Sequence, residues 1–375
     1  MSKLSFGGAV CSVLAAALLA SSALAQADPD PAIDADAATI DAPSKPARKA
    51  GSGKSSEAAA ANVATPPMWR IADEDTEIVL LGTFHILPPG IDWRSPELGK
   101  AIDGADAIWF EAEVDTPAAQ AETVKILQSA GFLKKGAKLS AMLEETEAAK
   151  LEEISGALGL PFAAVDGMRP WQAFLVLSVQ LIQSKGFDPG SGLENKLLGE
   201  GRARGREFVF LETVQQQLGF FTNLAPAVEK SLLTLTLRDW DQQAEEFDQL
   251  FAAWKAGDAE AIDEIMNRAM REEAPEVYDV LVKRRNEAWT ARIKAALDQP
   301  GKKLIAVGAA HLVGSDGVPA LLAAEGVEAA RYGLAANDNE APAAKEKRKK
   351  GKKDEAAPSD DALDLPEPIE ETDGD

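Results

Sequence analysis

The chain has two histidines in 375 residues, and both are set in the same frame. His85 lies in "LLGTFHIL" and His311 in "LIAVGAAHLV": an apolar run, a glycine three positions before the imidazole, and an aliphatic residue after it. Glycine fills 29 of the 375 positions, so this is a repeated construction and not a coincidence. Two neutral imidazoles and one carboxylate are a common ligand set for a first-row divalent ion, with positions left open for water and substrate. Such an ion lowers the pKa of its water and polarises a carbonyl. Carboxylates to complete the set end two further apolar runs, Glu111 in "DAIWFEAEVD" and Glu212 in "REFVFLET". The plain alternative is that both histidines are hydrogen-bonded strand-end residues without a metal.

Glu111 and Glu113 fall on one face of an extended strand, because side chains alternate with period two. Glu111 ends the apolar run and is taken as the ligand, or as a proton acceptor; Glu113 is expected to be a solvated neighbour. Glu212 is read as a further ligand, a general base, a partner for an imidazole, or simply a helix cap. Arg285 shares a charged helix with Lys283, Arg284 and Arg292. It belongs either to an exposed basic face or to the site, where it would bind a carboxylate or an oxyanion. Trp171, Trp240 and Trp289 sit in amphipathic patterns and are expected in the core.

These residues need strands to deliver them. "EIVLLGTFH" (77–85), "DAIWFEAEVD" (106–115), "REFVFLET" (206–213) and "KKLIAVGAAH" (302–311) are apolar without alternation, the pattern of strands covered on both faces. Helical patterns lie between them. Ser95–Pro96 and Ser140 are predicted helix starts, residues 168–187 a long apolar helix, and 214 to about 298 a run of helices; "EAARYGL" (328–334) is a predicted edge strand. The fold class is α/β: a mostly parallel or mixed sheet with flanking helices and a large helical middle segment. In such sheets ligands bind beyond the carboxyl ends of the strands, where His85, Glu111, Glu212 and His311 all fall.

The ends of the chain read differently. Residues 1–25 show a cationic start (Lys3), an apolar stretch and "SALAQ", a secretory signal peptide cut after Ala25. The stretch is short and serine-rich for a membrane span, though an uncleaved anchor is the alternative. Residues 26–66 form an Ala/Pro/Ser-rich linker and 336–375 a charged tail, both with the composition of disorder; the folded domain spans 67–335. Cys11 is the one cysteine, so the mature chain has no disulfide and no thiolate chemistry. A formal net charge of −22 argues against a nucleic-acid partner. The expected location is the periplasm, with no stable membrane span after signal cleavage.

The block resembles the TraB/PrgY/GumN family, which includes the Tiki-type metalloproteases of animals. The resemblance rests on "MWRIADEDTEIVLLGTFHIL", "ADAIWFEAE", "GLENKLLGEGRARGREFVFLETVQQQ", "RRNEAWTARI" and "LIAVGAAHLVGSDGVPALLAAEGVEAARYG". It implies an α/β fold built around the two G-x-x-H strands and a Mn²⁺- or Co²⁺-type site, with Zn²⁺ the other option. It matches His85 and His311 to the motif histidines, Glu111 to the family glutamate and Arg285 to the arginine before Asn286. Glu194 in "SGLENKLL" stands where relatives commonly have aspartate. Together these give metal ligands His85, His311 and Glu111, and catalytic candidates Glu111, Glu212 and Arg285. The functional expectation is a divalent-metal-dependent hydrolase acting on a peptide or protein. The alternative is a non-catalytic periplasmic accessory protein that sequesters a peptide or assists polysaccharide export through the same cleft. Iron-dependent redox chemistry would use a similar donor set, but the order of the motifs speaks against it.

Overall fold

The computed structural model describes residues 63–333. The expected signal peptide, most of the linker and the charged tail lie outside these residues. Six strands form one mixed sheet: β1 (Met68–Ala72), β2 (Thr76–Thr83), β3 (Ala107–Phe110), β4 (Glu207–Phe210), β5 (Gly301–Gly308) and β6 (Ala330–Tyr332). Their order is β4-β3-β5-β2-β1-β6. The four strands β4, β3, β5 and β2 run parallel, and β1 and β6 add an antiparallel edge. The last parallel strand, β5, is inserted between β2 and β3. Three neighbouring strands thus deliver His85, His311 and Glu111 to one edge of the sheet.

The buried runs of β2 (Ile78, Val79, Leu80, Leu81) and β5 (Leu304 to Val307) are exposed by 2 % or less. Full burial of each such aliphatic side chain is worth roughly 1.5–3 kcal/mol, which fixes the register of the two histidine-bearing strands. Strand β1 was not foreseen as a strand. It joins β2 through a tight turn in which Asp73 Oδ1 accepts from the Asp75 and Thr76 amides, at 3.1 and 2.8 Å. Edge strand β6 falls where "EAARYGL" predicts it.

Helices cover both faces and fill the middle of the chain. They include α1 (Pro96–Gly104), α2 (Pro117–Ala130), α3 (Glu145–Ala157), α4 (Pro170–Ser184), α5 (Leu193–Ala203), α6 (Val214–Thr222), α7 (Pro226–Arg238), α8 (Trp240–Ala256), α9 (Ala259–Ile262), α10 (Arg284–Ala296) and α11 (Val318–Ala324). Ser95 caps α1 by accepting from Leu98 N at 3.1 Å, a contact worth about 1 kcal/mol. The predicted Ser140 cap is corrected: α3 starts five residues later, inside a capping box of Glu144 and Glu147. The Ser140 amide is drawn away by Asp166 Oδ1 at 2.7 Å. Two π-helical turns, Asp263–Arg268 after α9 and Asp279–Lys283 before α10, were not anticipated. Among the described residues no helix is long and apolar enough to cross a membrane.

Candidate metal centre

Strands β3 and β4 stop at Phe110 and Phe210, so Glu111 and Glu212 stand just past their ends. The Glu212 amide donates to the Glu111 carbonyl at 2.7 Å, which holds the two segments side by side. His85 follows β2 by two residues, and His311 lies in a 3₁₀ turn, Ala309–Leu312, directly after β5. His85, Glu111, His311 and Arg285 are all nearly sealed from solvent.

Each imidazole has its Nδ1 edge taken by a partner. Nδ1 of His311 is 2.6 Å from Asn286 Oδ1. An amide oxygen only accepts, so Nδ1 carries the proton and Nε2 presents a lone pair. Nδ1 of His85 is 2.6 Å from Glu194 Oε1, a close ionic contact without full hydrogen-bond alignment. The same Glu194 oxygen accepts from the Thr83 hydroxyl. Glu194 comes from the first turn of α5, and the chain reaches it through Gly192. A Cβ there would meet the His85 carbonyl oxygen at 1.9 Å, so only glycine lets α5 approach so closely. From there the Glu194 side chain reaches the ring nitrogen of His85.

Glu111 is the junction of the site. Its Oε1 accepts from Gly308 N at 2.8 Å, and its Oε2 from Gln217 Nε2 at 3.1 Å and Arg285 Nη2 at 2.6 Å. Arg285 also grips Glu212, with Nε to Oε1 at 2.8 Å and Nη2 to Oε2 at 2.9 Å. Its Nη1 donates to Leu281 O at 3.1 Å and faces Nε2 of His311 at 3.1 Å. Every nitrogen of the guanidinium is engaged within the protein. Its faces are covered by Phe220 and Trp289, at 5.3 and 4.7 Å to the ring centroids. A buried guanidinium without partners would cost several kcal/mol; two carboxylates and two aromatic faces compensate it here.

The charges shape the titration of these groups. Burial would raise the Glu111 carboxyl, but Arg285 and the two imidazoles outweigh it and hold it at about 2. Burial and then Arg285 push His311 down to about 3. Burial also works to lower His85, but Glu194 wins and its pKa is raised.

The expected site residues gather as follows. His85, Glu111, His311, Glu212 and Arg285 form one connected polar cluster, with Glu194 attached. Glu113 does not join it: it is turned outward, 3.2 Å from Arg202, because β3 ends before it and the strand alternation no longer applies. Of the basic group around Arg285, Arg284 pairs outside with Asp279 at 2.6 Å, while Arg292 binds the Phe210 and Leu211 carbonyls at the end of β4. Trp171 is core as expected. Trp289 is buried too, yet it belongs to the site: its indole donates to Glu212 at 3.0 Å and its ring lies 4.5 Å from that of His311. Asn286, Gln217 and Thr83 were missed. Asn286 and Thr83 adjoin motif residues in sequence, which is the signal that was available; Gln217 lies five residues past Glu212, in α6.

Beside the His85 ring and Glu111 lies Gly308, the glycine of the second G-x-x-H. A Cβ on it would stand 3.0 Å from His85 Nε2 and 3.3 Å from Glu111 Oε1. The missing side chain therefore leaves a cradle between a ring nitrogen and a carboxylate oxygen. The glycine of the first motif has a different task, since a Cβ on Gly82 would press on Pro67 and Ala309 at 2.9 and 3.2 Å. Among the described residues no three His, Cys, Asp or Glu side chains are already arranged to hold a metal ion.

The comparisons bear on the same residues. A family model described as the TraB/PrgY/gumN family matches residues 67–331, which contain every residue of this site. The chain is 26 % identical over 246 residues to the "Uncharacterized protein YbaP" of Escherichia coli (strain K12), covering 65 % of this chain and 86 % of that protein. The YbaP protein of Shigella flexneri matches to the same extent. No solved structure matches significantly. The chain belongs to the TraB/PrgY/gumN family.

Proposed function

We propose that the protein is a divalent-metal-dependent hydrolase, with a peptide or protein as substrate. The observation that carries this reading is the orientation of the imidazoles. Nδ1 of His85 and of His311 each meets an oxygen, which leaves Nε2 of His85 for a ligand; Nε2 of His311 faces Arg285 Nη1 at 3.1 Å, a contact that an ion would replace. This is the outer-shell arrangement that orients metal-binding histidines. The cradle at Gly308 lies beside Nε2 of His85 and beside Glu111 Oε1. Two carboxylates, Glu111 and Glu212, share a single guanidinium, and a third, Glu194, lies against His85, so the centre is rich in negative charge. By donor type two imidazoles and a carboxylate suit an ion of the Mn²⁺, Co²⁺ or Zn²⁺ kind, which His85, His311 and Glu111 would hold once drawn together around it. When bound, such an ion supplies an acidified water and a polarised carbonyl.

The protein's own residues have separate tasks in this reading. Glu194 orients His85, and Asn286 fixes the His311 tautomer. Arg285, itself anchored by Glu212, holds Glu111 in place and keeps it ionised, so it is ready to ligate. The accessory reading, binding without turnover, draws support from one observation: the centre is closed, with both imidazoles buried. A peptide library incubated with the full chain, with and without Mn²⁺ or Co²⁺, separates the two. Metal-dependent cleavage lost in His85→Ala and His311→Ala is expected; metal uptake without any cleavage would favour the accessory role.

Export is part of the same proposal, supported by the charge and hydropathy pattern of residues 1–25. N-terminal sequencing of the protein from a periplasmic fraction should read from Gln26. Retention of Met1 in the membrane fraction would contradict it.

A further inference from the structure

The turn that carries His311 is gripped from two sides, and each grip comes from beside a π-helical turn. The first of these turns, Asp263–Arg268, contains Asn267. Asn267 is fully buried. Its Nδ2 donates to the Ala310 carbonyl at 2.9 Å and faces that of Val313 at 3.4 Å, two carbonyls that bracket His311 in the chain. A carbonyl only accepts, so the amide nitrogen of Asn267, and not its oxygen, must point at them. The second π-helical turn, Asp279–Lys283, leads into α10 and Asn286. Asn286 holds Nδ1 of His311, and its own Nδ2 donates to the Asp316 carbonyl at 2.7 Å. One asparagine thus fixes the ring and the other fixes the backbone.

Packing alone does not account for Asn267. Asparagine is a poor helix former, and a buried amide costs free energy wherever it lacks a hydrogen bond. Its Oδ1 is as buried as its Nδ2 yet meets no donor among the described residues. An apolar side chain would fill the space without that cost. A π-helical turn widens the helix to i→i+5 bonding and is frequent at functional sites. Here the turn is itself pinned. Arg271 holds Asp263 at 3.2 and 3.1 Å, and Gly314 runs so close to Asp263 that a Cβ there would strike its carboxylate.

Resting on the metal-dependent reading above, we infer that Asn267 is a positioning residue for the second G-x-x-H histidine. It sets the backbone on both sides of His311, which makes His311 the fixed jaw of the site. An ion that displaces Arg285 Nη1 from Nε2 of His311 then meets a ring that does not itself have to move.

The test reads ring-proton NMR of the metal-free full chain at one fixed pH, and Mn²⁺ affinity by calorimetry. The His311 ring lies 4.5 Å from that of Trp289, whose ring current makes the His311 signals sensitive to small displacements. Asn267→Ala should shift the His311 signals and leave those of His85 in place. Its Mn²⁺ affinity should fall about 10–100-fold, the range for losing an outer partner of a metal ligand. Asn267→Ser keeps a shorter donor and should change both readouts less. Leu177→Ala, a truncation of a fully buried side chain in α4, should lower Tm and move neither. His311 signals that stay in place in either folded Asn267 variant overturn the inference. So does a shifted His311 with unchanged Mn²⁺ affinity. A wild type that takes up no Mn²⁺, with His311 still shifted in the variants, overturns the metal reading and leaves Asn267 as the residue that positions His311.

Discussion

His85 and His311 repeat one motif in sequence yet sit in opposite electrostatic surroundings. Glu194 raises His85, whereas burial and Arg285 hold His311 at about 3. Their contributions to stability therefore run in opposite directions with pH. Below pH 6.5 an unfolded His311 takes up a proton that the native one refuses, so this term erodes stability from pH 6.5 down towards 3. Glu111 acts in the same direction further down, between 4.5 and about 2. The His85–Glu194 pair contributes fully below pH 6.5, and its contribution fades as pH rises through the raised native value. Because the chain has only two histidines, proton NMR of the ring signals reads both directly. In the metal-free protein one signal should titrate above 6.5 and the other should stay neutral to well below pH 5. Two signals titrating together near 6.5 would show that the cluster is not formed as described.

The elements explain how the motif works. Strand β5 ends at Gly308 with φ −51°, which any residue can adopt. The glycine is needed for space, not for conformation. Gly308→Ala should therefore fold normally while its Cβ crowds His85 Nε2 and Glu111 Oε1. Metal affinity is expected to fall by about 10–100-fold, the range seen when the support of a metal site is disturbed, with little change in Tm. Unchanged affinity in a folded variant would remove the cradle from the account. The four parallel strands, the edge strand at 330–332 and the placing of His85, Glu111, Glu212 and His311 at strand ends were legible, because apolar runs and their terminators are local signals. Strand β1 was not, since "MWRIA" is short and carries an arginine in its middle. The insertion of β5 between β2 and β3 is a non-local choice that no window of sequence encodes. The π-helical turns were equally hidden, and with them the position of Asn267.

At the scale of the whole molecule, the arrangement concentrates polar chemistry at the carboxyl ends of the parallel strands. Arg285 illustrates the limit of reading residues one by one. In sequence it stands in a basic run, and an exposed face or a substrate anchor were equally reasonable. In the fold, α10 turns that one residue inward against Glu111, Glu212 and His311, while Arg284 stays outside. Its donors are all used internally, so its task is to hold the cluster together. The helical middle of the chain serves the same end: α5 brings Glu194, α6 brings Gln217, and α10 brings Arg285, Asn286 and Trp289 to strand ends that lie far apart in sequence. We propose that this assembly holds one divalent cation between the two G-x-x-H imidazoles and Glu111. Calorimetric titration of the full chain with Mn²⁺ or Co²⁺ tests it most directly. About one equivalent should bind, with proton release as the raised His85 gives up its proton, and His85→Ala and His311→Ala should each largely abolish uptake. No uptake by the wild type, or uptake unchanged in His311→Ala, would contradict the account.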